Sequence, residues 1–417
     1  MKKVKYIQDD SKAVLCELTI NDVITAFYGA YGDYKKAIFD QIINFFETCG
    51  FEEYDNYLKN SYWYEKYKLF KSLSWIVREK RKIIPVVFST DNNYVPYFAV
   101  AVESLKRVAS SDCLYFVAVL NTDLTEQNIE RIANLSDEKF KVQCFNVGRI
   151  VNTKRFYNRS HYSIAMYYRL LIAELFACFS RVLYLDCDLI LKKNIETLLD
   201  IELGKNVVAA ARNPVQYYNL RYVEYTLQIP SSKYFNSGVI VIDTYNFLHE
   251  KIKDKCFELL SKFKNLQCPD QDLLNMACYG KVTYLPLNWN FQWHQGMEVK
   301  PELKLHEDEY DSYFSAARDY YILHFTSGNK PWIKPQFPLS YEFWRIARQT
   351  YFYEEILYKN TIDKMQYILK KNTSNQICQV KQQSSKSLFS KFICEVKCNG
   401  FRNAVKKAWR KLFGTKK

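Results

Sequence analysis

Residues 181–191 read RVLYLDCDLIL: Arg181, an apolar run from Val182 to Leu185, then Asp186-Cys187-Asp188, then a second apolar run from Leu189 to Leu191. Short runs of branched and aromatic apolar residues mark a strand buried on both faces, as in a parallel sheet. In extended backbone residues i and i+2 point the same way, so one continuous strand would present both carboxylates together. Open α/β sheets bind ligands at the carboxyl ends of their strands. Paired carboxylates repel each other, and a divalent, oxygen-seeking cation such as Mg²⁺ or Mn²⁺ removes that penalty while leaving positions for a diphosphate. The plainer alternative is an acidic turn between a strand and a loop, and Asp-x-Asp alone does not decide between the two.

Working outward, the neighbouring segments alternate. IIPVVFST (83–90), CLYFVAVL (113–120) and KVQCFNV (141–147) read as strands. YFAVAVESLKRVA (97–109), EQNIERIANL (126–135, with Thr125 as N-cap) and AMYYRLLIAELF (165–176) read as helices. Strands alternating with helices predict an α/β fold whose sheet is covered by helices on both faces. Farther on come VVAAAR (207–212), YFNSGVIVIDT (234–244), PDQDLLNMACYG (269–280) and VTYLPLNWNFQW (282–293), with a helix between the second and third. Residues 82–335 are expected to form one domain. A helical N-terminal extension over 1–81 precedes it and a helical C-terminal region over 336–417 follows.

Composition bounds the function. The 417 residues are 48% hydrophobic and 25% charged, which excludes wholesale disorder. A net charge of +14 calls for an anionic partner: a phosphate-bearing substrate, nucleic acid or a membrane surface. Residues 386–417 hold ten basic residues against Glu395 alone, so most of the excess is concentrated there. Within that tail Phe401, Ala404, Val405, Ala408, Trp409, Leu412 and Phe413 fall on one helical face, with basic residues on the other. This pattern describes a helix lying in an anionic membrane interface, the plainer alternative being a helix packed on the main domain, whereas single-stranded nucleic acid would ask for aromatics interleaved with the charges. The twelve cysteines include no CxxC pair, which favours free thiols in a reducing cytoplasm. No apolar run follows the basic start as in a secretory signal, and none is long enough to cross a bilayer. A cytoplasmic protein associated peripherally with the inner face of the membrane is therefore expected.

Further clusters could carry chemistry. In HFTSGNKPW (324–332), His324 could complete a metal shell, Gly328 could admit a phosphate to the backbone, and Lys330 supplies a compact positive charge, the plainer alternative being a loop whose His caps backbone groups. FSTDNNY (88–94) offers small and polar residues at a strand end, suited to a nucleoside or simply to a turn. Asn236-Ser237-Gly238 and Asp270-Gln271-Asp272 interrupt apolar segments and could equally be a turn and a helix cap.

Taken in order, FSTDNNY, HYSIAMYYRLLIAELF, VLYLDCDLI, YFNSGVIVID, PDQDLLN and HFTSGNKPW resemble the glycosyltransferase family 8 enzymes, especially bacterial lipopolysaccharide and lipooligosaccharide galactosyl- and glucosyltransferases. The resemblance implies a GT-A type nucleotide-sugar-binding fold, with a mixed, mostly parallel sheet flanked by helices. It implies that Asp186, Asp188 and His324 bind Mn²⁺ (or Mg²⁺), which bridges the diphosphate of UDP-galactose or UDP-glucose. Ser89, Asp91, Asn93 and Tyr94 would hold the uridine and ribose, and Arg169 would touch the donor near its sugar. Asn236, Asp270 and Gln271 would line that sugar, while Gly328 and Lys330 would meet the phosphates. Asp270, Gln271 and Lys330 form the expected catalytic set.

The family retains anomeric configuration, and its acceptor would be a glycan or glycolipid hydroxyl. Gln271 is a poor nucleophile, so front-face attack through an oxocarbenium-like transition state is expected rather than double displacement. One departure stands out: Ser327 occupies the position where the family usually has Gly, and Gly328 follows it. A nucleotidyltransferase would also use paired carboxylates and a divalent ion, but it accounts for neither HFTSGNKPW nor PDQD. A non-catalytic nucleic-acid or membrane-binding protein accounts only for the basic tail.

Overall fold

In the computed structural model, residues 79–148, 164–214, 220–293, 307–326 and 328–362 are described, together with positions 72, 73, 75, 76 and 365. Most of the expected N-terminal extension, the basic tail and Ser327 lie outside the described residues. The chain divides into two compact units, Met1–Tyr353 and Glu354–Lys417. In the second, residues 354–362 are helical.

Among the described residues, the first unit is built on a sheet of seven strands: β1 (Lys82–Ser89), β2 (Cys113–Asn121), β3 (Phe140–Asn146) and β4 (Arg181–Leu185), followed by β6 (Val208–Arg212), β7 (Phe235–Asp243) and β8 (Val282–Leu285). Their order across the sheet is β3-β2-β1-β4-β7-β6-β8. A separate two-stranded sheet pairs β5 (Leu189–Leu191) with β9 (Ile322–His324). Every pairing in the large sheet is parallel except those of β7 with β4 and with β6. The continuous apolar runs are explained by burial: all of β2 and all but the ends of β1 are enclosed, as in a sheet covered on both faces. Phe116 and Phe145 pack with Phe176 and Phe179 on one side of these strands. Trp75, from the segment preceding the sheet, meets Phe116 edge-on.

The helices form where capping and periodicity place them. Thr125 accepts the Asn128 amide at the start of helix Glu126–Ala133. Asp91 accepts the amides of Asn93 and Tyr94 just ahead of helix Val95–Val108. The segment expected to be helical over 165–176 is instead a 3₁₀ stretch, Ile164–Leu171, that becomes α-helical only over Ile172–Leu175. Three residues per turn set Met166 and Arg169 on one side, and Arg169 Nε donates back to the Met166 carbonyl at 2.9 Å.

The chain winds outward from β1 to β3 and then returns to the other side of β1 as β4. This reversal opens a crevice at the carboxyl ends of β1 and β4, the usual ligand position in such sheets. The Cys187 thiol crosses it to donate to the Ser89 carbonyl at 3.2 Å.

RVLYLDCDLIL is two strands rather than one. The Asp186 amide still donates to the Gly238 carbonyl at 2.8 Å, continuing the large sheet by one residue, whereas the Asp188 carbonyl accepts the Phe325 amide at 2.9 Å in the small sheet. The backbone changes sheets between the two aspartates. Strand alternation therefore does not bring their carboxylates together; the sheet change does.

Candidate active site

β5 and β9 run antiparallel with Leu189 opposite His324, which sets the imidazole beside Asp188. The His324 amide also donates to the Phe291 carbonyl at 2.8 Å, drawing the turn after β8 against the same ring. His324 Nε2 stands 3.1 Å from Asp188 Oδ1 and 3.6 Å from Asp186 Oδ2. One ligand atom from each of Asp186, Asp188 and His324 can be chosen so that all lie within 4.8 Å of one another.

The outer oxygens are already engaged. Arg169 Nη2 and the Tyr184 hydroxyl donate to Asp186 Oδ1 at 2.9 and 2.8 Å. Asp188 Oδ2 is ion-paired with Lys330, whose ammonium also donates to the Phe325 carbonyl at 2.6 Å. Each carboxylate thus keeps its other oxygen turned toward His324. Ligands about 2.1 Å from one divalent ion stand roughly 3 Å apart, and the 3.1 and 3.6 Å from His324 to the two carboxylates are close to that spacing.

Gly238 makes the same point sterically. A Cβ there would lie 2.6 Å from Asp186 Oδ2 and 2.9 Å from His324 Nδ1, so only glycine leaves room for the ring and the carboxylate.

Behind the carboxylates, Arg169 donates from Nη1 to the Ser237 carbonyl at 2.6 Å and to its hydroxyl at 2.9 Å, and stands 3.1 Å from Asp270 Oδ2. Asp186, Asp270 and the face of Tyr184 therefore share one buried guanidinium. Burial works against the charge on Arg169, but Asp186 and Asp270 outweigh it and raise its pKa further. Burial likewise opposes ionisation of Asp188, yet Lys330 and His324 hold its carboxyl below the ordinary range. For Asp270 burial prevails over Arg169, and its pKa is raised. Burial pushes the Tyr184 phenol far up, so it stays a neutral donor to Asp186.

Of the other expected residues, Asn236, Asp270 and Gln271 are tied to this cluster by hydrogen bonds. Asn236 at the start of β7 donates from Nδ2 to Gln271 Oε1 at 3.1 Å, and the Ser237 amide donates to that oxygen at 3.1 Å. Asp270 and Gln271 lie in the first turn of helix Pro269–Ala277. Asp272 fixes that turn by accepting the Cys268 amide and the hydroxyls of Tyr222 and Tyr234. At the end of β1, Ser89 Oγ is buried with no hydrogen-bond partner. Tyr94 meets Tyr97 and Trp332 edge-on, and Trp332 stacks on Tyr97 at 3.8 Å, joining the loop after β1 to the loop after β9. Asp91 caps a turn, as the plainer reading of FSTDNNY holds, and Asn93 is exposed. A Cβ on Gly328 would meet nothing within 4 Å, so packing does not require glycine there.

Sequence reasoning overlooked Tyr184 and Asn290 as parts of this cluster and met Ser237 only within Asn236-Ser237-Gly238. Tyr184 carried a usable signal, since it shares strand parity with Asp186. Asn290, inside an apolar-polar stretch, carried none.

A model of the family described as glycosyl transferase family 8 matches residues 85–335. A lipopolysaccharide 1,2-glucosyltransferase of Escherichia coli (strain K12) is 29% identical over 278 residues, which is 63% of this chain and 76% of that protein. General stress protein A of Bacillus subtilis (strain 168) is 30% identical over 179 residues, and the chain spans 60% of its length while 42% of this chain is matched. Among solved structures, the galactosyltransferase LgtC in complex with donor and acceptor sugar analogues superposes with a TM-score of 0.53 at 25% identity, covering 64% of this chain and 96% of that one. The apo bifunctional glycosyltransferase WbbM gives 0.59 at 27% identity, covering 68% of this chain and 52% of that one.

Proposed function

The chain belongs to glycosyltransferase family 8 and has a GT-A fold, and on that premise we propose that it transfers galactose or glucose from a UDP-sugar, with retention of configuration, to a hydroxyl of a lipopolysaccharide or lipooligosaccharide glycan. The observation that carries this reading is the meeting of Asp186, Asp188 and His324 at the mouth of the β1–β4 crevice, with Lys330 beside them. The related glucosyltransferase and galactosyltransferase support the choice of hexose and acceptor.

Asp186, Asp188 and His324 would hold Mn²⁺ or Mg²⁺, which when bound stabilises the negative charge that develops on the departing diphosphate. Lys330 would turn from Asp188 to the phosphates and add its charge there. Gly328, where a side chain is absent and space is open, would let the backbone approach them closely. Ser89, Asp91, Asn93 and Tyr94 would bind the nucleoside, with the unpartnered Ser89 hydroxyl gaining a partner. Asn236, Asp270 and Gln271 would line the donor sugar, and Arg169 would act through Asp186 and Asp270, to which it is already bound.

Front-face attack by the acceptor hydroxyl is supported by how the sugar-side groups are held. Gln271 Oε1 is occupied by Asn236 and Ser237, and Asp270 Oδ2 by Arg169 and Ser237. These two oxygens are occupied, and Gln271, a carboxamide, is a poor nucleophile. A UDP oxygen would take the acceptor proton as the anomeric C–O bond breaks. The basic amphipathic tail at 386–417 would hold the enzyme at the inner membrane face, where a lipid-linked acceptor is met. NMR of the product formed from UDP-galactose or UDP-glucose and de-acylated lipooligosaccharide, with Mn²⁺ present, tests this reading. An α-linked hexose is expected, and a β-linked product would overturn retention.

A further inference from the structure

Asn290 closes the 3₁₀ turn Leu287–Asn290 after β8 and is 1% exposed. Its amide lies between two parts of the site, and the orientation of that amide follows from backbone groups. The Gly238 amide donates to Asn236 Oδ1 at 2.9 Å, which identifies that atom as an acceptor. The Ser237 amide does the same for Gln271 Oε1, which also accepts Asn236 Nδ2. Turning Asn236 over would set N–H against N–H at one end and oxygen against oxygen at the other.

The Asn290 atom 2.8 Å from Asn236 Oδ1 is therefore the donor Nδ2. That leaves Asn290 Oδ1 at 2.8 Å from His324 Nδ1. A carbonyl oxygen only accepts, so the ring must carry a proton on Nδ1.

We propose that Asn290 is a positioning residue that fixes His324 with its proton on Nδ1 and so presents the Nε2 lone pair to a cation held with Asp186 and Asp188. A neutral ring in the opposite tautomer would set two lone pairs against each other at Nδ1 and a proton where the cation belongs. Metal-ligating histidines usually rely on such a partner on the remote nitrogen, and its loss weakens metal affinity. The same amide reaches Asn236 and, through it, Gln271, so one chain of hydrogen bonds joins the metal-side histidine to the residues assigned to the donor sugar.

This inference rests on the proposed metal role of Asp186, Asp188 and His324, and its test separates the two. Mn²⁺ binding to the full chain without nucleotide is followed by the EPR signal of the free ion, for wild type, Asn290→Leu and Asn290→Asp. Thermal melts without metal verify that each variant folds. Leucine removes the acceptor for Nδ1–H and should weaken Mn²⁺ binding about 10- to 100-fold. Aspartate keeps an acceptor for Nδ1–H but cannot donate to Asn236, so it should bind Mn²⁺ at least as tightly as wild type even if it melts lower. A packing role alone would weaken both variants alike.

Wild-type affinity in Asn290→Leu, or equal losses in both variants, would overturn the role of Asn290 while leaving the metal site standing. Absence of Mn²⁺ binding in wild type would overturn the metal site itself and the inference with it. A second measurement needs no variant at Asn290: ¹⁵N NMR of the histidine rings in Mg²⁺-saturated wild type, with His324 assigned by His324→Gln. A proton on Nδ1 and none on Nε2 is expected, and the reverse would overturn the proposal.

Discussion

Arg169 donates from Nη2 to Oδ1 of Asp186 at 2.9 Å, and this contact decides which oxygen of Asp186 faces His324. The same guanidinium reaches Ser237 and Asp270 through Nη1 and Met166 through Nε. A lysine has one donor centre and no planar fork, so it cannot reproduce this set. Arg169→Lys should lose at least about 1.5 kcal/mol of stability and about tenfold in Mn²⁺ affinity. Urea unfolding and Mn²⁺ titration measure both, and wild-type values in the two would contradict the bridging role.

Gly238 and Gly328 should separate cleanly. Alanine at 238 drives a Cβ against Asp186 Oδ2 and the His324 ring, so Gly238→Ala should lose about 1–3 kcal/mol of stability and measurable Mn²⁺ binding. Alanine at 328 meets nothing within 4 Å, so Gly328→Ala should keep wild-type stability and Mn²⁺ affinity and weaken only UDP binding. Calorimetric titrations with Mn²⁺ and with UDP distinguish the two. Intact Mn²⁺ binding in Gly238→Ala would show that the cluster tolerates displacement.

Asp272 gives a pH signature. It is fully buried and accepts from Tyr222, Tyr234 and the Cys268 amide at 2.6, 2.5 and 3.0 Å. Burial outweighs these bonds and raises its pKa, so the folded state holds the proton more tightly than the unfolded chain. Its stabilising contribution is fully present below the unfolded pKa of about 3.9 and is lost as pH rises through the higher folded value. The stability of wild type relative to Asp272→Asn should therefore fall from about pH 4 upward and then level off. Urea midpoints across this range test the sign, and an advantage that grows with pH would contradict it.

The basic tail should be separable from the chemistry. Removing residues 386–417 should leave UDP-sugar hydrolysis intact and abolish sedimentation with phosphatidylglycerol vesicles at moderate salt. A truncated chain that still sediments would exclude the tail as the membrane element.

The alternation of apolar strands and helices and the position of Asp186 at the end of β4 were legible in the sequence, because each depends on local period and on the general position of ligands in α/β sheets; that the polar motifs share one site was implied only by the resemblance to glycosyltransferase family 8. The break between β4 and β5 was not, because Asp186 bonds to Gly238 and Asp188 to Phe325, and such pairings over long sequence separations leave no periodic trace. The 3₁₀ winding around Arg169 was hidden for a similar reason: 165–176 has helical spacing, and the bonds of the buried guanidinium to distant residues leave no mark on that spacing. Asn290 reads as one polar residue in an apolar stretch until the register of β5 and β9 brings His324 against it.

Under the proposed function Asp186, Asp188 and His324 would hold a divalent ion that favours departure of UDP from a hexose donor. Its most direct test is UDP release from UDP-galactose and UDP-glucose by the full chain, with Mn²⁺ and with EDTA, in wild type and Asp188→Asn. Mn²⁺-dependent release from at least one donor is expected for wild type, lowered at least about 100-fold in Asp188→Asn and stopped by EDTA. Release that persists unchanged in EDTA or in Asp188→Asn would contradict it.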